Sequence, residues 1–368
     1  MSFVIDNTQK KETKNELLNH KTVRRFARKH TGKNDFYSYL ATKRNLHDSI
    51  VFNLHSFKYN KSTTTIKLNF GIGAYRNYIN LNEAIVSETK FSTFLKNYSS
   101  EQEVLKIRKF FLNHLLKSSL HQIRKLIPFS NILDYEKHPC SIGLNVFTVF
   151  KAENRYYTIF QNRNPNLVEN PGFKHVLPAG TYQPFSLQVG YRREDYHHGD
   201  FSHTVFRELA EELFDVEQLQ NANEPDAVLM DELVIEKKLL TDQSVAVRAT
   251  IGELFNIRIN DNFEIEKLDQ KGALRLIPTA FYIDLLSLKP QVSLFLYFES
   301  DKLLDFMAKV PLSNRIEGNA NYVEVDSDEF YNIIKDHLFT GNFTHTGIIP
   351  FIEGYSYFKK MSNSGLTR

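Results

Sequence analysis

One cysteine, Cys140, stands in 368 residues. A lone thiol closes no disulfide within the chain, so a small disulfide-stapled scaffold is excluded, and a reducing, cytoplasmic setting is the expectation. No histidine or helix-start pattern beside Cys140 marks it as a nucleophile. No apolar run approaches the roughly 18–20 residues that cross a bilayer, so no membrane partner is expected. The opening Met1-Ser2-Phe3-Val4-Ile5-Asp6 lacks a basic stretch followed by a long apolar one, and no secretory signal is expected. Internal repeats and low-complexity linkers are missing too. The chain has no Gly-x-Ser-x-Gly elbow, no Walker lysine, and no helix-turn-helix, zinc-finger or aromatic RNA-binding signature. What remains is an ordinary globular composition, 42% apolar and 24% charged, with a length that points to two domains.

The formal charge of +3 conceals an asymmetry. Of 46 Lys/Arg and 43 Asp/Glu, 23 and 9 fall within residues 1–130, leaving 23 and 34 for residues 131–368. The first part therefore carries +14 and the second −11. Two units with different partners would show this pattern, the basic one facing nucleic acid, another polyanion or a protein partner. Two halves that dock through complementary fields would show it as well.

Helical spacing over residues 8–30 places Leu17, Leu18, Val23, Phe26 and Ala27 on one stripe. Lys21, Arg24, Arg25, Arg28 and Lys29 load the other faces, and they are the candidate polyanion-binding residues. A second helix is predicted over 99–125 and a strand over Thr63–Phe70. Gly71-Ile72-Gly73 beside Arg76 reads as a tight turn in preference to a phosphate cradle. From Cys140 onward the texture turns to strands. Leu144–Phe150 and Tyr156–Gln161 read as a hairpin turning at 151–155, with further strands at Ala246–Ile251, Phe281–Ser287 and Val292–Phe298. Helices are expected from Ser202, as the cap, to Leu213, and finally over Asp326–Leu338. These elements imply an α/β or α+β unit over residues 136–362, after a basic, mainly helical domain over 1–135 and before a short flexible tail, 363–368.

Within the helix from Ser202 stands Arg207-Glu208-Leu209-Ala210-Glu211-Glu212. Residues three and four apart share a helical side, so the three carboxylates gather there and repel one another unless cations neutralise them. Hard oxygen donors so gathered suit Mg²⁺ or Mn²⁺. A solvated acidic face would be the ordinary reading of two glutamates alone, but the six-residue pattern arises by chance in roughly one chain of this length in a thousand.

This segment resembles the helix of the Nudix box, Gly-x5-Glu-x7-Arg-Glu-aliphatic-x-Glu-Glu-x-Gly-aliphatic. Leu177-Pro178-Ala179-Gly180 is similar to the Leu-Pro-Gly-Gly turn that opens the box, and Phe160-Gln161-Asn162-Arg163 to the strand before it. The likeness covers about residues 140–345. It implies an α/β/α sandwich with a mixed sheet and a nucleotide-type ligand whose diphosphate links a nucleoside to another group. It also implies a divalent metal held by Glu208, Glu211 and Glu212, with Glu211 and Glu212 serving catalysis, and structural roles for Gly180 and Arg207. Many proteins of this fold pair as homodimers, which makes a homodimer an expectation by analogy.

The pattern is also broken. Gly180 to Arg207 spans 27 positions where the box has 14, an insertion of 13. The box glutamate position is Ser186, and the closing glycine and aliphatic are Phe214 and Asp215. Glu194 or Asp195 could replace the missing carboxylate, and Glu299, Glu317 and Glu324 are candidates for a downstream one. The insert, with His197, His198 and Asp200 ahead of His203, reads as a gating or partner-contacting loop in preference to a separate metal site. A divergent hydrolase would carry such a sequence, and so would a non-catalytic ligand sensor whose basic N-terminal domain contacts nucleic acid or a protein.

Overall fold

The computed structural model describes residues 2–6, 16–31, 35–41, 50–86, 123–164, 172–183, 201–213, 258–259, 265–266, 274–309, 313–314, 318–338 and 342–364. Its content is mixed, helices with two principal sheets. The first sheet contains β1 (Ser2–Asp6), β2 (Ile50–Asn60), β3 (Thr65–Ala74) and β4 (Cys140–Ser141) in the order β1-β3-β2-β4. Strand β1 runs parallel to β3, and the other pairs are antiparallel. Helices α1 (Lys21–Thr31), α2 (Phe36–Ala41) and α3 (Tyr75–Tyr78, continuing as a wider turn through Glu83) accompany it.

Several expectations for this part are corrected. Among its described residues the first part combines these short helices with the strands of a sheet. Helix α1 begins at Lys21, preceded by a 3-10 turn over Glu16–Asn19, and residues 8–15 lie outside the described set. Gly71-Ile72-Gly73 is no turn, because β3 runs through it and pairs with Asn53, Phe52 and Val51 in a buried ladder. The predicted helix over 99–125 falls outside the described residues except at its end, where a 3-10 turn covers Arg124–Leu126.

The second sheet is built on β5 (Gly143–Ala152) and β6 (Arg155–Arg163). Glu153 and Asn154 join them with φ of 48° and 62°, the left-handed pair that matches the twist of a two-residue hairpin. Then come β7 (Lys174–Val176), β8 (Ala179–Thr181), the small pair β9 (Arg258–Ile259) and β10 (Ile265–Glu266), β11 (Leu274–Ile283), β12 (Pro290–Glu299), β13 (Ser313–Asn314) and β14 (Gly318–Glu324). The order is β11-β12-β5-β6-β14-β13, and the sheet is mixed because β12 lies parallel to β5. The predicted strand over Ala246–Ile251 lies outside the described residues. That over Phe281–Ser287 stops at Ile283, where Asp284 anchors a turn by accepting from the backbone N–H groups of Leu286 and Ser287.

Alternation along β5 sorts its side chains to two faces. Leu144, Val146 and Phe150 join a core with Val205, Phe206 and Leu209 of α4 (Phe201–Leu213). Phe147 and Val149 join another with Phe351, Phe358 and Met361 of α7 (His345–Asn363), the last of the helices after α5 (Asp301–Lys309) and α6 (Asp328–Ile333). Helix α7 is absent from the sequence expectation, which ends the helices at Leu338. Pro350, Gly347 and Gly354 weaken its intrinsic propensity, but Gly354 is where the helix meets Phe147, with room for no side chain. The expected helix over Asp326–Leu338 is shorter, capped by Ser327 and continued as a wider turn from Ile334. Asn363 ends α7 and Ser364 caps it, and residues 365–368 lie outside the described set.

The core on the α4 face runs on into the first sheet, joining Val23, Phe26, Phe52, Leu54 and Leu68 to Leu144 and Leu209. Ring pairs make the junction: Phe52 with Tyr182 at 4.8 Å, Phe3 with Phe201 at 5.6 Å and Phe57 with Phe281 at 5.0 Å.

Candidate active site

The site arises from a split in the second sheet. Strands β5 and β6 pair only near their hairpin, from Val149 to Thr158. Beyond it β5 pairs with β8 and β6 with β7, so Leu177-Pro178 spans the gap between the two halves. Thr148 Oγ1 donates to the Leu177 carbonyl at 2.7 Å, and the Val146 N–H donates to that of Pro178 at 2.9 Å. These bonds hold the turn, and the turn presents Ala179 and Gly180 to α4.

Helix α4 begins at Phe201, so Ser202 sits inside its first turn and is not the cap. Phe201 packs on Tyr182 at 5.0 Å, one end of a stripe that continues through Thr204, Val205, Glu208 and Glu212. The Ala179 N–H donates to Glu212 Oε2 at 3.1 Å, and Glu212 is only 2% exposed. Glu208, half-buried, lies directly over Gly180, where a Cβ would come within 2.6 Å of its Cγ and closer still to its carboxylate. Two of the three predicted ligands thus meet the predicted turn, although 28 and 33 residues separate the partners in sequence. The side chains of Glu211, Arg207 and His203 lie outside the described residues, as do Glu194, Asp195, His197, His198, Asp200 and Glu317.

The downstream candidates Glu299 and Glu324 are excluded from this site. Gly180 is level with Leu144, whereas Glu299 is level with Lys151, seven residues along β5, or roughly 23 Å at the rise of a strand. Glu324 pairs with Tyr157 at the same far end, where Arg155 bonds it at 3.3 Å. The periodicity of a strand shows which face a residue takes but not which end of the sheet it reaches.

Residues that the sequence reading missed surround the split. Gln161 and Arg163 follow Tyr157 and Ile159 on the α4 face of β6, and Arg163 Nη1 donates to Gln161 Oε1 at 3.5 Å. A polar residue in step with buried apolar ones was the available signal. His175, level with Gln161, accepts at Nδ1 from the Val176 N–H at 2.9 Å and lies 2.8 Å from Thr344 Oγ1. That bond assigns its proton to Nε2. Burial, with Arg163 and His345 nearby, holds its pKa well below the ordinary histidine value. Behind the turn, Lys289 Nζ lies 3.3 Å from Thr181 Oγ1 and 4.2 Å from the Tyr78 ring centroid, tying α3 to the residue after Gly180. Asp284 is buried, which raises its pKa. Bonds from His345 at 3.1 Å, Ser287 and Leu286 outweigh this and hold it below the usual carboxylate value.

Among the described residues no three His, Cys, Asp or Glu side chains converge as a metal cluster. Two carboxylates, Glu208 and Glu212, supply oxygen donors of the type a hard divalent ion takes. Glu208 and Glu212 stand one helical turn apart against a glycine that leaves Glu208 its place. Away from the site, Lys21, Arg24, Arg25 and Arg28 are exposed along α1 while Val23, Phe26 and Ala27 are buried, as the spacing predicts. The Lys29 side chain is outside the described residues. Cys140 is a buried thiol whose Sγ donates to its neighbour's carbonyl.

No helix of the described residues is long and apolar enough to cross a membrane. A scan against models of known protein families finds no match, and a search of curated proteins finds none either.

Proposed function

We propose that the chain is a divergent Nudix-type hydrolase, an α/β/α sandwich that cleaves a nucleotide-linked diphosphate with a divalent metal. The observation that carries this reading is the meeting of Glu208 and Glu212 with Ala179 and Gly180 in spite of the 13-residue insertion. Helices on both faces of a mixed sheet agree with it.

Glu208 and Glu212, with Glu211 from the same helix, would hold Mg²⁺ or Mn²⁺. Such an ion, when bound, neutralises charge developing on phosphate oxygens and makes water a better nucleophile. The chain's own residues supply position. The Ala179 N–H fixes one oxygen of the buried Glu212, leaving the carboxylate a defined direction. Gly180 lets Glu208 lie against the backbone, and the Leu177-Pro178 carbonyls, bonded to β5, keep that backbone from giving way.

A second reading, a ligand sensor without turnover, draws on the contacts between the basic first part and the site. Phe3 packs on Phe201 at the start of α4, and Lys289 links Tyr78 to Thr181. In that reading the exposed cations of α1 contact nucleic acid or a protein.

One experiment separates the readings. Purified protein is titrated with Mn²⁺ and Mg²⁺, with and without ADP-ribose, dinucleotides and nucleoside triphosphates, while phosphate products are assayed. Glu212→Gln keeps an acceptor for the Ala179 N–H and removes the charge, so metal-dependent turnover lost in that variant supports the hydrolase. Binding without turnover supports the sensor. Turnover unchanged in Glu212→Gln would sink the metal assignment.

A further inference from the structure

Gln161 is fully buried, and its Nε2, a double donor, has no hydrogen-bond partner. Thr204 Oγ1 on α4 is in the same condition. Both belong to the same layer of the fold. Gln161 takes the α4 face of β6, level with Ala320 of β14, and α4 crosses that face in contact with β5, β8, β13 and β14. Because β6 lies between β5 and β14, Gln161 is on the side of the sheet where the helix carrying Glu208 and Glu212 packs.

A buried amide with unmet donors destabilises the fold that contains it. Methionine would fill nearly the same space without that cost. Arg163 occupies one acceptor site of the amide at most, so the two N–H groups serve a state other than the ligand-free one. The neighbouring side chains decide which chemistry they meet there. Arg163, two residues on along the same face, is a permanent cation, and His175, level with Gln161, is neutral with its proton on Nε2. Donors on this row, beside carboxylates on α4, divide a site into a part for anionic oxygens and a part for a cation.

We propose that Gln161, with Arg163 beside it, is a binding residue for the diphosphate oxygens of the ligand, distinct from the carboxylates that hold the metal. The proposal rests on the hydrolase or sensor reading above, since either requires a diphosphate at this site. Rotation of the flexible Gln161 side chain turns its amide from the packed ligand-free arrangement to the phosphate.

The test compares wild-type protein with Gln161→Met by thermal unfolding without ligand and by calorimetric titration with ADP-ribose and, separately, with Mn²⁺ alone. The expected result is a melting temperature raised by about 2 °C, ADP-ribose affinity weakened about tenfold or more, and Mn²⁺ affinity unchanged. A structural role would lower melting temperature and affinity together, and that outcome overturns the proposal. Equal ADP-ribose affinity in the two proteins overturns it also. Should Gln161→Met fail to fold, Arg163→Met takes its place, with the same loss of ADP-ribose binding expected and unchanged binding decisive against. A wild-type protein that binds none of ADP-ribose, the dinucleotides and the nucleoside triphosphates defeats the parent reading, a failure visible before any variant is measured.

Discussion

Replacing Gly180 by alanine separates the position of Glu208 from the stability of the fold. The new Cβ would stand 2.6 Å from Glu208 Cγ, and non-bonded carbons come to rest at about 3.5–4.0 Å, so the side chain must retreat by about 1 Å or more. The obstructing atoms are the far end of a flexible, half-buried side chain, and the retreat costs folding little, about 1 kcal/mol or less. Function bears the loss. A ligand carboxylate displaced by about 1 Å weakens metal binding or turnover roughly 10–100-fold, equivalent to about 1.4–2.8 kcal/mol. Urea unfolding and Mn²⁺ titration of Gly180→Ala measure the two effects independently. Wild-type Mn²⁺ affinity and turnover in this variant would refute the reasoning, because Glu208 would then not need its place over Gly180. A large fall in stability would refute it differently, by showing that the backbone and not Glu208 gives way.

Two further predictions concern stability. His175 is neutral when folded, with its pKa held well below the unfolded value of 6.5, so the unfolded chain alone takes up a proton as pH falls through that value. Stability is therefore lost below about pH 6.5, with a limiting slope of about 1.4 kcal/mol per pH unit. His175→Asn keeps an acceptor near Nδ1 and should flatten the fall in melting temperature between pH 7 and pH 5; an unchanged slope would remove His175 from the account. At the β5–β6 hairpin, Glu153 and Asn154 both hold positive φ. The double substitution Glu153→Asn with Asn154→Gly installs the pair this turn favours and should add about 1–2 kcal/mol. The added stability should appear as a higher urea midpoint at unchanged slope, and a lower midpoint would show that the Glu153 side chain matters more than its backbone.

Much of the local structure is legible in the sequence. The stripe Val23, Phe26 and Ala27 marks α1, the β-branched and aromatic run Leu144–Phe150 marks β5, and the two-residue turn between β5 and β6 lies where the polar break predicts it. Glycine and proline misled in both directions. Gly71 and Gly73 read as a turn yet lie in a buried strand, while Pro350 and two glycines hid a helix of 19 residues. In each case burial against a partner distant in sequence outweighed the local preference.

The site divides along the same line. The sequence by itself determined the chemical groups, carboxylates at helical spacing and a glycine turn, because side-chain type and short-range periodicity are local properties. Only the tertiary structure decided which of them meet. It brought the turn and α4 together so that Ala179 bonds Glu212, and it carried Glu299 and Glu324 to the far end of the sheet. It also placed Gln161 and His175 level with each other beside the split. Those outcomes depend on strand register and on where β5 and β6 part, and register comes from pairings between segments tens to hundreds of residues apart, which no local pattern encodes.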